Sequence, residues 1–146
     1  MQYNFTVYVE GGFSRADNIG AFAYIILDGI TGEEYCHYSE HIIDTTEARV
    51  HYDGLVSALK ALPSNSTALV ISDATYLTNV MSGLWRPKAN LDIIARAHNI
   101  MRTRNIQCDF KWKSIKLKDT MMKRVWAMCS MEAGVDFERM FEERKK

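Results

Sequence analysis

The chain has 146 residues, a formal net charge of zero, 47% hydrophobic and 25% charged residues, which suits one soluble domain with a real core. The balanced charge excludes a globally basic nucleic-acid binder, so any basic surface must be local. Cys36, Cys108 and Cys129 lack metal-ligand spacing, no apolar run nears the roughly 20 residues that span a bilayer, and no signal-peptide pattern opens the chain, so a reduced, cytoplasmic protein without a membrane anchor is expected.

Residues 3–9 alternate, with Tyr3, Phe5, Val7 and Val9 on one face. This predicts a strand with one buried face, ending at Glu10. The stretch GGFSRADNIG reads as a glycine-bounded turn. AFAYIILDG is a second strand, almost continuously apolar and therefore central. DGITGE is a hairpin turn with Gly29 and Gly32 available for positive φ. EEYCHYSEHI is a third strand, completing an antiparallel meander.

The period then changes. Val50, Leu55, Ala58, Leu59 and Leu62 recur at helical spacing, with Thr45 or Thr46 as cap and Pro63 as stop. TALVIS is a short buried strand. DATYLTNVMSG is a helix ended by Gly83. NLDIIARAHNIMRTR is a longer amphipathic helix, with Leu91, Ile94, Ala95, His98 and Met101 on one side. IQCDFKWKS is a last strand. DTMMKRVWAMCSMEAG is a helix capped by Asp119 and ended by Gly134. Residues 135–146 form a charged tail of helical pattern, outside a domain spanning 1–134. The order βββαβααβα implies a mixed α/β five-stranded sheet, a three-strand meander plus two further strands, flanked by helices.

Glu10 and Asp73 both fall at carboxyl ends of strands, where crevices form in open α/β sheets. Two converging carboxylates there offer oxygen ligands to a divalent ion, and clusters of this kind serve two-metal phosphoryl transfer. His51 lies one turn into the first long helix. With YVEGG, TTEARVHYDGLVSAL, VISDATYLTNVMSG and FKWKS in this order, the chain resembles the ribonuclease H family from about Tyr3 to Gly134. The resemblance implies that fold, a Mg²⁺ or Mn²⁺ centre and an RNA–DNA hybrid, RNA or DNA as partner. It sets Glu10 where the family has its first catalytic Asp, His51 where it has Glu, and Asp73 at the third carboxylate. The last carboxylate position falls on Trp126 in a gapless reading and on Asp119 with a shorter loop. SIKLKD holds no match for the family's loop His.

Two metal ions about 4 Å apart need several carboxylates. Asp to Glu adds a methylene, His removes a charge and favours Zn²⁺ or Mn²⁺ over Mg²⁺, and Trp cannot ligate. Each residue also has a plain structural role open to it. Glu10 reads equally as a solvated strand end, Asp73 and Asp119 as helix caps, His51 as a hydrogen-bonded residue at the stripe's edge, and Trp126 as packing or a plug over the site.

A local cluster, Lys111, Trp112, Lys113, Lys116, Lys118, Lys123 and Arg124, suits a phosphate backbone and stacked bases, or an edge strand guarded by lysines. The expectation is a ribonuclease H-like module that binds nucleic acid with lost or weak nuclease activity. The rivals are a divergent endonuclease cutting the RNA strand of hybrids, and a structural domain that binds a protein partner.

Overall fold

A computed structural model of the chain describes residues 2–114, 119–137, 139 and 140. Five strands form one sheet: β1 (Phe5–Ser14), β2 (Ile19–Asp28), β3 (Glu34–Ile43), β4 (Thr67–Ser72) and β5 (Gln107–Trp112). Their spatial order is β3-β2-β1-β4-β5. The β1–β2 and β2–β3 pairs are antiparallel, and β1–β4 and β4–β5 are parallel. The helices are α1 (Glu47–Ala61), α2 (Thr75–Met81), α3 (Leu91–Thr103) and α4 (Thr120–Ala133). This is the βββαβααβα mixed sheet expected from the sequence. No helix among the described residues is long and apolar enough to cross a membrane.

The sheet separates two apolar clusters. On one face, Val7, Val9 and Ile26 meet Leu55 and Leu59 of α1 and Ile93 of α3. Each such fully buried side chain contributes about 1.5–3 kcal/mol of burial free energy. On the other face α4 packs Val125, Trp126 and Cys129 onto Ala21, Ala23 and Ile25 of β2, joined by Phe137. The alternation of β1 thus sends Val7 and Val9 to one face and Glu10 to the α4 face.

Three local expectations are corrected. First, β1 does not end at Glu10: it runs on to Ser14, and Gly11 and Gly12 pair with Phe22 and Ala21 of β2. Neither glycine has positive φ. They are there for close packing. A Cβ on Gly12 would stand 2.6 Å from the Phe137 ring, and one on Gly11 would stand 3.0 Å from Val50. Second, Gly32 alone of the hairpin glycines has positive φ, at +77°, while Gly29 lies against the Tyr3 carbonyl. Third, the buried face of α3 is Ile93, Ile94 and Ala97, and Leu91, Ala95 and His98 are exposed. The apolar residues of that segment allow two overlapping stripes, and packing against α1 selects the one containing Ile93.

Candidate functional site

The cleft lies where β1 and β4, parallel neighbours with Tyr8 opposite Ile71, run past the first turn of α1. Its volume is about 520 Å³, and its walls include Glu10, Glu47, His51, Asp73, Tyr76 and Trp126. Four sequence candidates therefore share one cleft: Glu10, His51, Asp73 and Trp126. Asp119 is not among its walls.

Glu10 is the residue whose setting differs most from a strand-end carboxylate. It is 1% exposed. Its Oε1 accepts from the Ser72 hydroxyl at 3.0 Å, and its Oε2 accepts from the Asp73 backbone N–H at 2.9 Å. Burial pushes its pKa up to about 8, the Asp73 charge adds to the rise, and the two hydrogen bonds oppose it. Cys129 Sγ donates to the Glu10 carbonyl at 3.6 Å, so α4 holds the strand from the other side.

Asp73 is not the cap of α2, as its type suggested. Ala74 holds that position without a side-chain hydrogen bond. Ser72 closes the turn instead: its Oγ accepts from Ala74 N at 3.1 Å while donating to Glu10. The Asp73 carbonyl accepts from the Trp112 indole N–H at 3.0 Å, which ties the half-exposed Trp112 of β5 to the rim of the cleft.

Thr46 caps α1, accepting from Arg49 N at 3.2 Å. The cap sets the first turn so that Glu47 and His51, four residues apart, face one way. The His51 Nδ1 is buried without a hydrogen-bond partner, and burial brings its pKa down to about 4. The ring is neutral at pH 7. Its Nδ1 therefore lacks the hydrogen bond expected of this ring, lying against Gly11 instead. Sequence reasoning passed over Glu47 as a cleft residue. The signal was present: it precedes His51 by one helical turn.

Trp126 forms one wall, in an edge-on (T-shaped) contact with Phe137 at 6.5 Å between ring centres. Asp119 caps α4, accepting from Met121 N at 2.8 Å and Met122 N at 3.1 Å. It also accepts from Lys113 Nζ. Burial pushes its pKa up, but the lysine and the two backbone donors outweigh that and hold it below the usual carboxylate range.

Glu10, Glu47, Asp73 and His51 are the side chains lining the cleft that could offer oxygen or nitrogen donors to the divalent ions the resemblance implies. Each Glu10 oxygen accepts one hydrogen bond, and in the absence of a cation burial favours the protonated acid. Among the described residues no three His, Cys, Asp or Glu side chains are gathered so as to hold a metal ion.

The basic cluster is divided by the sheet. Lys111 and Trp112 end β5, one edge strand. Arg124 reaches Glu34 of β3, the opposite edge, at 2.6 Å. Lys113 is engaged by Asp119. Lys116 and Lys118 lie outside the described residues.

Searches against protein-family models and curated proteins find no match. Solved structures do match. The LC11 ribonuclease H1, solved in complex with an RNA/DNA hybrid, aligns with a TM-score of 0.75 at 18% identity, covering 94% of this chain and 99% of that one. The N-terminal ribonuclease H domain of rv2228c from Mycobacterium tuberculosis, solved as a maltose-binding-protein fusion, gives 0.71 at 15%, covering 97% and 99%. Ribonuclease H1 of Halobacterium salinarum gives 0.72 at 17%, covering 88% and 96%. The chain therefore has the ribonuclease H fold.

Proposed function

We propose that this chain is a nucleic-acid-binding module of ribonuclease H fold whose carboxylate centre does not run metal-assisted hydrolysis. The observation that carries this reading is the state of Glu10. The acid at the family's first position is folded between β1 and β4, hydrogen-bonded at both oxygens, with its pKa raised to about 8. A ligand for Mg²⁺ must instead present an ionised, reachable oxygen. His51 and Trp126 bring no negative charge to the same cleft.

Support for nucleic acid comes from the fold and the rim. A structural neighbour, the LC11 ribonuclease H1, is described in complex with an RNA/DNA hybrid. Here Trp112 is 49% exposed beside the cleft, and an exposed indole is a platform for base stacking, while Lys111, exposed on the other face of β5, offers a phosphate contact at the same strand end. The presence of Glu10, Glu47 and Asp73 around one cleft is the observation that favours the rival, a divergent nuclease.

The test is binding to RNA–DNA hybrid, double-stranded RNA and DNA across a salt series. Affinity is expected at about 50 mM salt, falling steeply as salt rises. Removing the charges of Lys111, Lys113 and Lys116 lowers both affinity and salt slope. Absence of affinity at low salt, or affinity that survives the triple substitution, contradicts this surface.

A further inference from the structure

The cleft, with its volume of about 520 Å³, falls within the roughly 300–1,000 Å³ of sites that enclose small organic ligands. Two of its walls are aromatic, and both rings are held in place. Trp126 is 9% exposed and stands edge-on to Phe137. Tyr76 meets Tyr52 edge-on, with 6.1 Å between ring centres, and its hydroxyl donates to the Ala89 carbonyl at 3.2 Å. Rings fixed before a ligand arrives lose little freedom when it binds. The polar walls are one-sided. Glu47 and Asp73 bring carboxylates, and among the described residues no Lys or Arg joins them. Arg49, two residues from both Glu47 and His51, reaches Asp92 of α3 instead, at 2.8 Å. A phosphate entering the cleft therefore meets acids and no cation. Its place is outside, at the strand end that carries Lys111.

We propose that this cleft takes an unpaired guanine base, packed against the aromatic walls with its Watson–Crick edge on the Asp73 carboxylate. The inference rests on the nucleic-acid reading above and names the ligand feature which that reading leaves open. Guanine alone among the bases carries two adjacent donors on that edge, N1–H and the N2 amino group. They match the two acceptor oxygens of one carboxylate. Adenine and cytosine set one amino group beside a bare ring nitrogen. Uracil and thymine set one N–H between two carbonyls. Each of these turns a lone pair toward a carboxylate that has only lone pairs to offer. Inside a duplex the same edge is occupied by the pairing partner, so the guanine lies in a single strand, a loop or an end. Asp73 is the acid chosen because it is half-buried where Glu47 is exposed, and a less hydrated carboxylate makes the stronger hydrogen bond. Trp112 extends the same surface. Its indole N–H donates to the Asp73 carbonyl at 3.0 Å, and its half-exposed ring offers a neighbouring base a place to stack.

Fluorescence anisotropy of a short oligouridine strand carrying one guanosine, beside the all-uridine strand, tests the pocket. The unsubstituted chain is expected to bind the guanosine strand about ten-fold tighter. Inosine lacks the N2 amino group and 1-methylguanosine lacks the N1 proton, so each in that position brings the affinity back toward the all-uridine value. These arms use the unsubstituted chain, so no misfolded variant can imitate them. Asp73→Asn, which exchanges one acceptor oxygen for a donor, erases the preference. The nucleoside alone separates this inference from the reading beneath it. Guanosine shifts the Trp126 indole resonance, and inosine shifts it far less. Strands that fail to bind while guanosine still shifts Trp126 sink the nucleic-acid module and leave the base pocket standing. Equal affinity for the guanosine and all-uridine strands overturns the proposal, as does a preference that survives inosine or Asp73→Asn. So does a Trp126 resonance that guanosine leaves unmoved, including one that answers to the cation spermidine instead.

Discussion

Glu10 and Asp119 are two carboxylates offered by the sequence for one centre, and the fold treats them in opposite ways. Glu10 lies inside, between strands, with a hydroxyl and a backbone N–H as donors. Burial dominates there and raises its pKa to about 8. Asp119 lies at the start of α4 with a lysine and two backbone N–H groups, and its pKa is lowered. The same functional group therefore favours a neutral form in the cleft and a charged form at the margin. What a carboxylate can do depends on which donors the backbone brings to it, and only the margin supplies a cation.

The largest expected effect is at the cleft wall. Trp126→Ala removes a buried ring that joins α4 to β2 and Phe137, and should cost about 3 kcal/mol or more in urea unfolding. A loss under about 1 kcal/mol would mean the indole is a loose plug over the cleft and not part of the core.

The next effect separates the two acids by pH. Glu10 has a folded pKa above its unfolded one, so the native state binds the extra proton and stability falls as pH rises from about 4.5 to about 8. His51 has a folded pKa below its unfolded one, so its contribution is lost as pH falls from about 6.5 to about 4. The two slopes oppose each other below pH 6.5. Between pH 6.5 and 8 only Glu10 acts, and the unsubstituted chain should lose about 1–2 kcal/mol across that window. Glu10→Gln, which keeps the shape and removes the titration, should be flat there. Parallel curves would place the titrating group elsewhere.

Asp119→Ala gives the smallest change, about 1 kcal/mol at pH 7 for a lost helix cap. Its sign with pH is the reverse of that for Glu10. Asp119 stabilises the fold above its unfolded pKa, and that contribution disappears as pH falls through its lowered folded value. The difference between variant and parent should therefore close in acid.

Strand alternation, the helical stripe of α1 and the caps at Thr46 and Asp119 were legible in the sequence because each is a local pattern with a local cause. So was the nearness of Glu10 and Asp73 at neighbouring strand ends, whereas His51 and the choice between Trp126 and Asp119 came only with the resemblance, and the cleft includes His51 and Trp126 but not Asp119. The length of β1 was not. Gly11 and Gly12 look like a turn, but their role is to let Val50 and Phe137 approach the strand, a contact made by residues far along the chain. The burial of Glu10 was hidden for the same reason, since it depends on the continued strand and on Ser72 across the parallel pair. Nor could local composition separate Arg124 from Lys111: they are close in sequence, yet the sheet sets them at opposite edges.

The central claim is that this cleft does not hydrolyse nucleic acid through divalent ions. The direct measurement is cleavage of an RNA–DNA hybrid with Mg²⁺ and then Mn²⁺, beside an Asp73→Asn variant whose fold is verified. The expected result is no cleavage above the variant with either ion. Metal-dependent cleavage of the RNA strand that Asp73→Asn abolishes would contradict it, and would mean that Glu10 leaves its hydrogen bonds to take up the ion.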